Sequence, residues 1–193
     1  MVTWDLIDYL VLLGTLHLTW LLVQIFGGIL LPFLKPQPSS NLLNSASTSA
    51  SSVLVLIPVC NESPVILKRT LAKCLQLPEA EIVVIENSTR SGVKADLEKV
   101  CKELNVSCYS IENLGNKARA INHYLQNQVV SVDYVSVLDV DQEPEPAFLK
   151  SILPYFQEDE NLGLVQTPQA FRNENKSWLT FVYAAMQSIF FRG

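Results

Sequence analysis

Apolar residues fall into two different patterns along this chain. Over residues 9–34 they are nearly continuous, dominated by Leu, Val, Ile and Phe, with no Asp, Glu, Lys or Arg among them. From residue 53 onward, short apolar runs alternate with stretches whose apolar positions recur at helical spacing. The run 53–59, with Pro58 near its end, predicts a strand buried on both faces. Residues 63–76 then predict a helix, with Val65, Ile66, Leu71 and Leu75 at helical spacing. A second strand is expected at 82–85, and a helix at 93–104 with Lys94/Glu98 and Lys99/Glu103 pairs on its solvent face. A third strand at 106–110, a helix at 117–128 and a fourth strand at 134–138, with Val135, Val137 and Leu138 buried, follow. The pattern closes with helices at 147–156 and 176–191 and a short fifth strand at 162–166 between them. Strands separated by helices require right-handed crossovers, so the fold class is α/β, a mainly parallel sheet with helices on both faces.

The first segment has a different role. Its roughly 26 residues, at about 1.5 Å each, reach about 39 Å and cross a hydrocarbon core of about 30 Å with tilt. Trp4 and Tyr9 suit one membrane interface. A cleaved signal peptide is the rival, because SASTSASS follows, but Asp5 and Asp8 stand where that signal carries Lys or Arg. Residues 1–35 are therefore expected to be a single transmembrane anchor. Lys35 behind the span and acids ahead of it put the rest on the cytoplasmic side. Residues 36–52, rich in Pro, Ser, Asn and Ala, read as a flexible tether, and 53–193 as the folded domain.

Charge and cysteine usage narrow the partners. The chain has 193 residues and a net charge of −5, with no basic stripe, which argues against nucleic acid. Cys60, Cys74, Cys101 and Cys108 form no Cys-x-x-Cys pair, and His17 and His123 lie far from them, so a zinc site is not expected. Free thiols in a reducing compartment fit the spacing; disulfides would require export.

The polar residues collect where strands end. Asn61-Glu62 follow the first strand, Glu86-Asn87 the second, and Asp139 and Asp141 the fourth. On a parallel sheet those turns share one rim, where ligands of open α/β sheets bind. In a continuing strand Asp139 and Asp141 would share a face, and oxygen ligands at that spacing suit Mg²⁺ or Mn²⁺ holding a phosphate. A polar turn after a buried strand would read the same way. Asn61-Glu62 could instead cap the next helix, as Ser63 could, and Glu86 could be a solvated strand end. Lys117 opens a helix after Gly115, an unfavourable place for a cation unless an anion accompanies it; a solvated surface lysine is the alternative. No Gly-rich phosphate loop follows the first strand.

Taken together, these segments resemble glycosyltransferase family 2. LIPVCNES resembles its opening strand, IVVIENSTR its second, NKARAIN its Lys-Ala-Gly-x-x-Asn segment and VLDVDQEPEPAFL its Asp-x-Asp strand. LGLVQTPQAFRN is similar to the Val-Gln-Thr-Pro-Gln stretch of the cellulose-synthase-like branch. The resemblance implies a GT-A-like fold and inverting sugar transfer from a nucleotide sugar, often UDP-linked, to a growing glycan or lipid acceptor. It implies that Asp139 and Asp141 handle metal and diphosphate, that Asn61, Glu62 and Glu86 line the nucleoside side, and that Lys117 lies near the nucleotide. The chain departs from the family at Glu86-Asn87, where paired Asp is usual, and at Arg119, where Gly is usual.

Two family segments do not occur in this sequence: a Thr-Glu-Asp-like segment that supplies the general base, and a Gln-x-x-Arg-Trp segment that holds the acceptor. The expectation is therefore the donor-binding part of a longer enzyme, inactive by itself. The last helix, with Trp178, Phe181, Tyr183, Phe190 and Phe191, would leave an apolar patch exposed at a true terminus. The rival readings are a catalytically inactive nucleotide-sugar binder or regulatory protein, and an exported binding domain.

Overall fold

The computed structural model describes residues 6–34, 51–78 and 80–192. Its α/β body is a compact unit within residues 41–161. Four parallel strands, β1 (Val53–Val59), β2 (Ala80–Glu86), β3 (Ser107–Ser110) and β4 (Tyr134–Val137), lie in the order β3-β2-β1-β4. In the other unit, of residues 1–40 and 162–193, helix α1 (Leu6–Leu34) packs against α6 (Trp178–Arg192).

β1 sits in the middle because its side chains are apolar on both sides. Val53, Val55, Ile57 and Val59 face one core with Val84, while Leu54 and Leu56 face the other with Val83 and Ile85. The first core is closed by α2 (Pro64–Cys74), α3 (Ser91–Glu103) and α5 (Phe148–Glu158). The second is closed by α4 (Lys117–Asn127), through Ala120 and Tyr124. Tyr109 meets Tyr124 edge-on, with ring centroids 5.1 Å apart, which suits the ring quadrupoles. β1 aligns with β4 only from Val53↔Tyr134 to Leu56↔Val137, so Pro58, without an N–H, falls beyond that ladder.

Several local expectations need correction. The fifth strand expected at 162–166 does not form, and that segment falls in the other compact unit. β4 is therefore an edge strand. Val135 and Val137, expected inside, are 45% and 41% exposed, because α4 does not extend over their face. β4 ends at Val137, so Asp139 and Asp141 lie in a turn rather than on one face of a continuing strand. On α2 the buried stripe is Leu67, Thr70, Leu71 and Cys74, while Val65 and Leu75 point outward. The helical pairs expected on α3 give way to contacts across the fold: Lys94 reaches Glu86, and Glu103 reaches Lys68 at 3.1 Å.

Helix α1 contains one stretch, Leu6–Gln24, long and apolar enough to cross a membrane, and it is exposed along its described length. On α6, Trp178, Phe181, Tyr183 and Met186 are exposed as well. Trp4, Asp5, Lys35 and the expected tether as far as residue 50 lie outside the described residues.

Candidate functional site

The carboxyl ends of β1, β2 and β4 form one rim, as parallel strands require. Asn61 leaves β1 with a φ of 57°, a left-handed conformation that Asn tolerates better than most residues. Its N–H donates to Ser88 Oγ at 2.7 Å, and its Oδ1 accepts from the N–H groups of Thr89 and Arg90 at 3.2 and 3.1 Å. Arg90 is the N-cap residue of α3 and lends no side chain to that cap; Asn61 binds the backbone that leads into the helix, at the N-cap and the residue before it. Asn61 thus ties two rim loops together. Glu62 beside it is half-buried, and no hydrogen bond or ion pair engages its carboxylate among the described residues. Ser63 is the N-cap of α2 but makes no side-chain capping bond.

Glu86 was expected to line the rim, and the structure turns it inward instead. Its side chain is fully enclosed. Oε1 accepts from the Ser88 N–H at 2.8 Å, and Oε2 lies 3.4 Å from Lys94 Nζ and 3.5 Å from Ser110 Oγ. A buried carboxylate persists only when it is satisfied in this way. Lys94 also donates to the Ile111 carbonyl, at 3.0 Å. The next residue, Asn87, is buried as well; its Oδ1 accepts from Leu114 N–H at 2.9 Å and its carbonyl accepts from Asn113 Nδ2 at 2.7 Å. Those two bonds fix the loop that leads into α4.

That loop delivers Lys117. Gly115 has a φ of 87°, which an L side chain rarely adopts, and its N–H donates to Asn113 Oδ1 at 2.9 Å. Asn116 caps α4, accepting from the Arg119 N–H at 2.9 Å. Lys117 is then the first helical residue, and its ammonium contacts Asp139 Oδ1. This pairing offsets the cost of a cation at a helix N-terminus. Both side chains are about half exposed, 46% and 51%.

Asp139 and Asp141 stand on a short turn closed by Gln142 N–H to the Asp139 carbonyl, 2.9 Å, and by the Asp139 N–H to Gln142 Oε1, 2.8 Å. Leu138 and Val140, flanking Asp139, are buried, which turns both acids outward. No cluster of three or more His, Cys, Asp or Glu suited to a metal occurs among the described residues. The donor set is thus two exposed carboxylates. It does not suit an all-protein cage, but it does suit Mg²⁺ or Mn²⁺, which keep several waters and complete their shell with substrate phosphate. Asp139 already accepts one cation, the Lys117 ammonium.

The structure therefore brings Asn61, Glu62, Lys117, Asp139 and Asp141 to one rim and removes the Glu86 carboxylate from its surface. A groove of about 720 Å³ beside α4, lined by Asn113, Arg119, His123 and Gln126 among others, does not include either Asp. The sequence reading missed the roles of Asn113 and Asn116. Their signal was the run of Asn around Gly115, residues that favour turns and caps.

Residues 54–188 match the family model described as Glycosyl transferase family 2. The chain belongs to that family. This family-2 chain is 34% identical over 144 residues to glucomannan 4-beta-mannosyltransferase 2 of Arabidopsis thaliana, covering 69% of itself and 27% of that relative. It is 52% identical over 62 residues to a UDP-forming cellulose synthase catalytic protein of Dictyostelium discoideum, covering 30% of itself and 6% of that protein. The chain thus spans about a quarter of the length of the mannosyltransferase relative. Among solved structures it is similar to the mannosyltransferase PcManGT of Pyrobaculum calidifontis in complex with GDP-Man and Mn²⁺. The TM-score is 0.50 at 15% identity, over 82% of this chain and 47% of the other. That likeness establishes the GT-A-like fold of the family-2 sheet.

Proposed function

We propose that this chain is the donor-binding part of a membrane-bound, inverting glycosyltransferase that builds a polysaccharide or glycoconjugate from a nucleotide sugar, UDP-linked. The observation that carries the reading is the meeting of Lys117 and Asp139 on the rim of a family-2 sheet. A cation at a helix N-terminus beside an exposed carboxylate is a place where a diphosphate and its metal can both be neutralised. Asp139 and Asp141 hold the divalent cation, Mg²⁺ or Mn²⁺, and Lys117 turns its ammonium to the phosphate. When bound, such a cation neutralises charge developing on the leaving diphosphate. Glu62, with its carboxylate unengaged among the described residues, accepts hydrogen bonds from the nucleoside. Asn61 and Glu86 support the rim from behind by holding its loops.

One relative, named a UDP-forming cellulose synthase, supports the UDP-linked donor, and the similar solved structure, which holds GDP-Man with Mn²⁺, supports a nucleotide sugar with a divalent cation. In this reading residues 1–35 anchor the protein, 36–52 tether it, and 53–193 form the donor-binding domain on the cytoplasmic side. The exposed apolar helix α1 supports the anchor. Calorimetric titration of the purified protein with UDP, with and without Mn²⁺, tests the site. Metal-dependent binding is expected, and equal affinity in both conditions would remove the metal from it. Protease added to intact cells tests the orientation: it should spare the domain until the cells are lysed.

A further inference from the structure

We infer that Thr70 and Arg69 on α2 are positioning residues that clamp the turn bearing Asp139 and Asp141, so that the metal-binding geometry is set from the helix that follows β1. Thr70 is fully buried, and its hydroxyl donates to the Val140 carbonyl at 2.5 Å. A helical threonine ordinarily turns its hydroxyl back to a carbonyl one turn earlier; this one reaches a residue 70 positions away. The accepting carbonyl belongs to the peptide between the two aspartates. The Val140 side chain is buried in the core that also contains Leu67 and Leu71 of α2. The middle of the turn is thus fixed twice, by packing and by a hydrogen bond.

Arg69, the preceding residue, forms an ion pair at the far end of the turn. Its Nε lies 2.5 Å from Glu143 Oε1 without the alignment of a hydrogen bond, with the two side chains 40% and 21% exposed. Neighbouring residues on one helix therefore reach positions 140 and 143. Neither Arg69 nor Thr70 contacts Asp139 or Asp141 directly. They act through the backbone between and beyond the acids, in the way outer-shell partners orient metal ligands. This inference rests on the donor-site reading only for its effect on binding; the clamp itself is a mechanical claim.

The test uses the full-length protein, in detergent or nanodiscs, with Thr70→Val, Thr70→Ser and Arg69→Gln. Valine keeps the shape of threonine and removes the hydroxyl, serine keeps the hydroxyl, and Arg69 is exposed enough to be replaced without loss of the fold. Hydrogen exchange at the Asp139 and Gln142 amides reads the clamp without any ligand, and UDP titration at varied Mn²⁺ reads its consequence. In Thr70→Val, exchange at both amides should rise about tenfold, the scale of one lost buried hydrogen bond, and the Mn²⁺ needed for half-maximal UDP binding should rise similarly. Thr70→Ser should restore both, and Arg69→Gln should show a smaller change in the same direction. Unchanged exchange in Thr70→Val and Arg69→Gln overturns the clamp, and faster exchange with unchanged Mn²⁺ demand overturns its positioning role. If the unsubstituted protein binds no UDP, the donor-site reading fails while the exchange data still decide the clamp.

Discussion

Lys117 Nζ contacts Asp139 Oδ1 across the rim, although the two residues lie on different elements 22 positions apart. The pair is half exposed, so it adds little to stability. Its interest lies in what must happen when a donor binds. Metal and ammonium compete for the same carboxylate, and an incoming diphosphate gives the ammonium another anion. Lys117→Ala should weaken UDP binding about tenfold, the scale of one charge-assisted hydrogen bond to phosphate. It should also lower the Mn²⁺ concentration needed to occupy Asp139. Titrations of UDP and of Mn²⁺ separately would expose the opposite signs. Weaker binding of both would mean that Lys117 only braces the loop.

Asp141 has no such competitor among the described residues, which makes it the cleaner probe of the metal. Asp141→Asn keeps the size and removes the charge, leaving one carboxylate at the site. UDP affinity in the unsubstituted protein should fall at least about tenfold when a chelator removes Mn²⁺. In the variant, calorimetry should find nearly the same weak affinity with and without the metal. A variant that still responds fully to Mn²⁺ would move the ligand role elsewhere.

How much of this was legible beforehand depended on whether a residue's environment is local. β1 and β2 could be read because their apolar runs are continuous, and residues 82–85 proved to be the buried centre of β2. The rim could be read because parallel strands must end together. The direction of Glu86 could not, since it depends on Lys94 and Ser110, contributed by other elements. Val135 and Val137 looked buried because the sequence pattern records apolarity and not which helix extends over an edge strand. Thr70 gave no signal, because a threonine within a helix looks the same whether its hydroxyl turns back or reaches across the fold.

Cysteine chemistry offers an independent footprint of the rim. Cys60 is exposed there, with Sγ 3.7 Å from both Asn61 Nδ2 and Asn113 Nδ2. Cys74 is enclosed in the core, and burial pushes its thiol up to about 11. Thiolate is the reactive form, so at about pH 8 only about a thousandth of Cys74 is in that form. Iodoacetamide should modify Cys60 first and leave Cys74 intact in the native protein. UDP with Mn²⁺ should slow the Cys60 reaction several-fold, read by peptide mass spectrometry. Equal labelling with and without nucleotide would place the donor away from the β1 loop.

The Glu86–Lys94 pair predicts a stability effect where a binding effect would otherwise be expected. Glu86 is fully enclosed, while Lys94 remains 31% exposed, so the two ends of the pair are not equivalent. Removing the carboxylate's charge with Glu86→Gln keeps an oxygen for the Ser88 N–H and leaves a partly solvated lysine. Removing the ammonium with Lys94→Met leaves a buried charge held by the Ser88 amide and the more distant Ser110 hydroxyl, and frees the Ile111 carbonyl. Lys94→Met should therefore be the more harmful, costing about 2 kcal/mol, with Glu86→Gln nearer about 1 kcal/mol. Urea unfolding should read both values, and the double variant should cost less than their sum because the buried charge is gone. UDP affinity should change little in Glu86→Gln, since the loop that carries Lys117 is held by Asn87 and by the Glu86 backbone carbonyl, which the substitution leaves in place. A large loss of UDP affinity with unchanged stability would instead return Glu86 to the nucleoside pocket.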